Sequence, residues 1–129
     1  MRVITIGGLT VALALACAPP ATTPKRVARN PNVITQEEIV AANVYTVYDA
    51  VRVLRPNFLH SRGRNSMVLA ETGLPRIYLD HQFYGEVESL RRLDVKNVRE
   101  IHYYNSSDAG AKFGLGNTAG VIEVITGSD

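Results

Sequence analysis

The stretch Gly120-Val121-Ile122-Glu123-Val124-Ile125-Thr126 decides the fold. Five of its six residues after the glycine are β-branched, and a single charge interrupts them. β-branched side chains pack well on a pleated surface and lose rotamer freedom in a helix, so this is a strand. Apolar residues on both of its alternating faces predict a strand well inside a sheet, covered on both sides, with Glu123 near a rim. Working backwards, Val98 to Tyr104 is a second strand, with Ile101 and Tyr103 on one side and Glu100 and His102 on the other. Arg76-Ile77-Tyr78-Leu79-Asp80 is a third, following Pro75 and leading into a turn through Gly85.

Helices fill the intervals. Thr35-Gln36-Glu37-Glu38 has the form of a capping box and predicts a short helix from Gln36 to Ala42, ended by Asn43. Val44, Val47, Val51 and Leu54 form one apolar stripe, and the Thr46/Asp49 pair predicts that this second helix begins at Val47. Arg55-Pro56 stops it, because proline lacks the N–H and constrains its predecessor. Glu86 to Leu93 reads as a helix with Val87, Leu90 and Leu93 inward, and Ser106-Ser107-Asp108 caps another running to Phe113. Between them, His60 to Thr72 is a polar loop, with Met67-Val68-Leu69-Ala70 as a brief strand inside it. The expected fold is α/β (α+β): a small mixed sheet of three to four strands with short helices, in a chain whose 129 residues suffice for one domain.

The N-terminal part reads differently. Residues 1–16 place Arg2 before a short apolar run that closes on small residues, the pattern of a secretory signal and too short for a transmembrane helix. The chain has one cysteine, Cys17, immediately after that run, so it has no intramolecular disulfide partner. Ala14-Leu15-Ala16-Cys17 resembles the lipobox of bacterial lipoproteins, with the large aliphatic and the small residue in exchanged order. The resemblance implies that Cys17 carries the acyl chains that anchor the protein to a membrane. Ala18 stands where an Asp often retains such lipoproteins at the inner membrane, which implies the periplasmic side of the outer membrane. Residues 17–32, rich in proline and small residues, are the lipidated cysteine and a tether; residues 33–127 are the domain.

The domain resembles the plug of TonB-dependent outer-membrane receptors. The likeness lies in Val33 through Ile39, Asp49-Ala50-Val51, Leu54-Arg55-Pro56, Ile77-Tyr78-Leu79-Asp80, then Val95, Val98, Glu100 and Ile101, then Asp108 through Gly114 and Gly120 through Thr126, taken in order. Three departures stand out. A surrounding barrel would need about eight strands of roughly ten residues, which the residues after Thr126 do not supply. Residues 18–32 contain nothing like the apolar segment that contacts TonB. His81 and Gln82 replace the glycine that follows the turn aspartate. The resemblance implies a non-catalytic, lipid-anchored binding module that docks to an outer-membrane barrel or transport protein; the alternative is a structural envelope lipoprotein without a discrete ligand.

Chemistry-bearing constellations are sparse. His60, His81 and His102 lie far apart in a loop, a turn and a strand, not at metal-ligand spacing, so no metal or other cofactor is expected. Ser66, His81 and Asp108 form a triad only on paper, with no nucleophile elbow. The glycines from Gly114 to Gly120 follow a helix and open a strand, the reverse of a phosphate-binding loop. Net charge is +2, with no basic arm, which speaks against nucleic acid. Arg62 and Arg64 are the candidate contact residues of the long loop.

Overall fold

In a computed structural model of the chain, residues 29–60 and 73–127 are described. Cys17, the signal run and tether before Arg29, and the Arg62, Arg64, Ser66 and Met67–Ala70 positions of the long loop lie outside the described residues.

The architecture is mixed α/β around one open sheet of five strands. These are β1 (Val33–Thr35), β2 (Arg76–Leu79), β3 (Gln82–Gly85), β4 (Val98–Tyr104) and β5 (Val121–Thr126). Their order across the sheet is β1-β4-β5-β2-β3, which puts β5 at the centre. It pairs antiparallel with β4 and parallel with β2, and the edges are the antiparallel pairs β1/β4 and β2/β3. The fifth strand is β3, where the sequence led us to expect only a turn. Asp80 and His81 form a two-residue reversal, both at positive φ (48° and 69°), so Gln82 already pairs with Leu79. That is the backbone twist a tight hairpin requires, reached here without glycine.

The helices begin and end where local chemistry dictates. In α1 (Gln36–Ala42) the Glu38 carboxylate accepts the Thr35 N–H at 3.4 Å, and Asn43 closes the helix in the left-handed region. In α2 (Val47–Leu54) the Thr46 hydroxyl accepts the Asp49 N–H at 3.2 Å. Pro56 then opens a short 3-10 turn. The helix expected over Glu86–Leu93 is a 3-10 helix over Val87–Arg92. Its apolar residues Val87 and Leu90 are three apart, a spacing that a three-residue turn aligns as well as an α-helix does. The third α-helix, α3 (Ser106–Phe113), is capped by Asn105 rather than by the serines, with the Asn105 side chain accepting the Asp108 N–H at 3.0 Å.

The core occupies one face of the sheet. Ile34, Ile77, Ile101, Ile122 and Val124 are fully buried there beneath Ile39, Val47, Val51 and Phe58, and Phe58 stacks on Tyr103 at 4.9 Å. An ion pair of Arg55 with Glu38 (3.2 Å) ties the end of α2 to the start of α1. The opposite face has α3 lying against it, and there the polar chemistry collects.

Candidate functional site

Strand register fixes what the second face presents. His102 lies opposite Glu123, Glu123 beside Tyr78, and Tyr78 opposite Phe83, so one row crosses β4, β5, β2 and β3. Glu123 stands in the middle of it. The expectation of a rim position is corrected: its side chain is fully buried, because α3 lies over the central strand. A carboxylate withdrawn from water needs a counter-charge and hydrogen bonds. Lys112 of α3 provides both, its ammonium donating to Glu123 Oε2 at 2.8 Å and to the Tyr104 hydroxyl at 2.7 Å. From the hairpin turn, His81 Nδ1 comes to 2.5 Å from the other oxygen, Oε1, which has no hydrogen-bond partner among the described residues.

Aromatic rings wall this cluster. Phe113 of α3 packs on Tyr78 at 4.3 Å and edge-on to Tyr104 at 5.5 Å; the Lys112 ammonium sits over the Tyr104 ring at 4.4 Å. Burial alone would lower the Lys112 pKa. The hydrogen bonds to Glu123 and Tyr104 outweigh it and hold the ammonium above the ordinary lysine range. A second carboxylate–imidazole contact, Glu100 with His102 Nε2 at 2.7 Å, flanks the row. His81 and His102 each lie beside a carboxylate, His81 largely exposed and His102 half-buried. Among the described residues no group of three or more His, Cys, Asp or Glu side chains could hold a metal ion.

A cleft of about 140 Å³ lies nearby, between the glycine loop after α3 and the start of β2. Leu74, Arg76, Phe83, Glu86 and Asn117 line it. Asn117 is nearly buried, its Nδ2 donating to the Gly114 carbonyl at 2.9 Å and its Oδ1 without a hydrogen-bond partner among the described residues. The apolar rim is open to solvent: Phe83 is 59% exposed, and Leu115, next to the cleft's Gly116, is 99% exposed.

Arg62 and Arg64, the contact residues expected from the sequence, lie outside the described residues. The Ser66 of the paper triad is outside them too, while His81 and Asp108 have other partners: Glu123 for the imidazole, the Asn105 amide for the carboxylate. Sequence reasoning passed over Lys112 and the partners of Glu123. A signal was there: Ala109, Lys112 and Phe113 share the i, i+3, i+4 face of α3, so a lysine stands on the stripe that meets the sheet. No known protein family, curated protein or solved structure matches this chain.

The buried pair makes an asymmetric prediction. Lys112→Met strands a carboxylate that cannot reach water. It should cost about 2–3 kcal/mol in urea unfolding, less than the 3–5 typical of a fully buried pair because Lys112 is 37% exposed. Glu123→Gln should cost only about 1 kcal/mol, since the lysine can turn to solvent. Because the folded-state Lys112 pKa is raised, its contribution is complete below the ordinary lysine value near 10.5 and is lost as pH rises through the higher folded value. Equal costs for the two variants would rule out the asymmetry.

Proposed function

We propose that this chain is a non-catalytic binding module, plug-like in its domain, tethered through Cys17 to the periplasmic side of the outer membrane and docking there to another envelope protein. The observation that carries the docking reading is the grouping of exposed apolar side chains at one end. Leu74 and Phe83 border the cleft and Leu115 adjoins it. Isolated exposed hydrophobics need no explanation, but a group around a concavity marks a contact surface. The polar groups on the neighbouring face lie against one another, Glu123 with Lys112 and beside His81. That arrangement favours a structural part for them over acid–base work on a substrate.

The anchor rests on the lipobox-like Ala14-Leu15-Ala16-Cys17. Multiple acyl chains hold a protein stably at a membrane, each buried CH₂ contributing about 0.8 kcal/mol. Cys17→Ser should abolish labelling by radioactive fatty acid; an unmodified thiol in the mass spectrum of the native protein would remove the anchor from the reading. Docking is tested with a photo-crosslinking residue at Phe83 or Leu115, in intact envelopes, against one at Lys96 near the opposite end of β4. Capture of the same envelope protein from both apolar positions, and not from Lys96, is expected. Equal, weak labelling from all three would leave the structural-lipoprotein reading in its place.

A further inference from the structure

We infer that α3 is a latch: it opens as a unit from an otherwise intact sheet and uncovers Glu123 together with the rings of Tyr78 and Tyr104. This goes beyond the docking reading and does not depend on it. The helix is weakly built. Only Ala109 is buried among its residues, and apart from it the helix meets the sheet through Lys112 and Phe113. Gly110 lies in its middle, where glycine costs about 0.5–1 kcal/mol against alanine, and apart from its chain neighbours and the helix's own backbone nothing among the described residues lies within 4 Å of where a Cβ would sit. Close packing therefore does not demand that glycine. Both ends are suited to hinging: Asn105 is a non-helical cap, and Gly114 leaves the helix at φ +88°. Helices of this length have little stability of their own and depend on the face they pack against.

What lies beneath is suited to being uncovered. Of the two oxygens of Glu123, Oε2 accepts from Lys112 of α3, while Oε1 lies beside His81 of the hairpin turn. When α3 swings away, Lys112 leaves but His81 stays, so the carboxylate keeps a neighbour while water reaches it. The core lies on the other face, under α1 and α2, and opening breaks none of its contacts. Opening thus exposes a carboxylate between tyrosine rings while the fold persists.

Native-state hydrogen exchange on the full chain tests this. The helical amides from Ala109 to Gly114 should exchange at least ~100-fold faster than the central amides of β4 and β5, and their rates should not change in low urea, because a local opening exposes little surface. The decisive comparison is Val51→Ala, which weakens the core on the far face. It should accelerate exchange in β4 and β5 by roughly tenfold or more and leave α3 unchanged. Ile101→Val makes the same comparison with a smaller perturbation should Val51→Ala fail to fold. If α3 shares the urea slope of the sheet, or accelerates with it in either variant, then α3 opens only by global unfolding and there is no latch.

Discussion

Truncation after Gly120 is expected to yield a chain that does not fold. The lost segment is the central strand, hydrogen-bonded to β4 on one side and β2 on the other. Without it the sheet falls into two antiparallel pairs, β1/β4 and β2/β3, and isolated two-stranded units are marginal in water. Val121, Ile122 and Val124 are fully buried; at about 1.5–3 kcal/mol each, their loss approaches the whole stability of a small domain. Asp80 loses its function as well, since its carboxylate accepts both the backbone N–H and the hydroxyl of Thr126. Removing only Ser128 and Asp129 should be silent, because the last backbone bond described, Gly127 N–H to the Asn97 carbonyl, is kept. A dispersed NMR spectrum from the chain ending at Gly120 would show that β5 is dispensable.

How much of this was legible in the sequence depended on whether a feature is local. The start of α2 was, because the Thr46/Asp49 pair and the Val47/Val51 stripe act within one or two turns. The facing of β4 was, because alternation places Ile101 and Tyr103 together on any strand. The edge strand β3 was not: Gln82–Gly85 is largely exposed and has no apolar alternation, and its turn adopts positive φ with Asp80 and His81, residues that do not announce it as glycine would. The burial of Glu123 was not either. A lone charge in an apolar strand reads as a rim residue unless its counter-ion is known, and Lys112 belongs to a different element, eleven positions away. The cleft has the same character, since its walls come from the start of β2, from β3 and from the glycine loop, which meet only in the folded sheet. A site assembled across elements has no local signature beyond residues that break a pattern, and here those residues were Glu123 in an apolar strand and Lys112 on an apolar helix face.

The glycines following α3 offer the sharpest single-residue prediction. At Gly120, φ is +93°, and a Cβ would lie 2.6 Å from the Tyr104 carbonyl oxygen and 2.9 Å from the Tyr103 hydroxyl. The first of these contacts cannot relax, because Tyr104 is the β4 residue paired with Val121, and moving its carbonyl disturbs the central ladder. The loop cannot shift easily either: Gly120 donates its N–H to Asn117 and its carbonyl accepts the Arg76 N–H that begins β2. Left-handed backbone costs a side-chain-bearing residue roughly 1–2 kcal/mol, and overpacking adds about 1–3. Gly120→Ala should therefore lose about 2–5 kcal/mol, enough at the upper end to unfold a marginal domain. Gly114 and Gly110 separate the two causes. Gly114 also has a positive φ but open space around it, so Gly114→Ala should lose only the backbone strain, about 1–3 kcal/mol, and less than Gly120→Ala. Gly110 sits inside α3 with open space and no such strain, so Gly110→Ala should gain about 0.5–1 kcal/mol. Urea unfolding of the three variants checks the ranking. If Gly120→Ala proves no worse than Gly114→Ala, the close approach of the glycine loop to β4 does not exist, and the path by which the chain leaves α3 to enter the central strand would have to be redrawn.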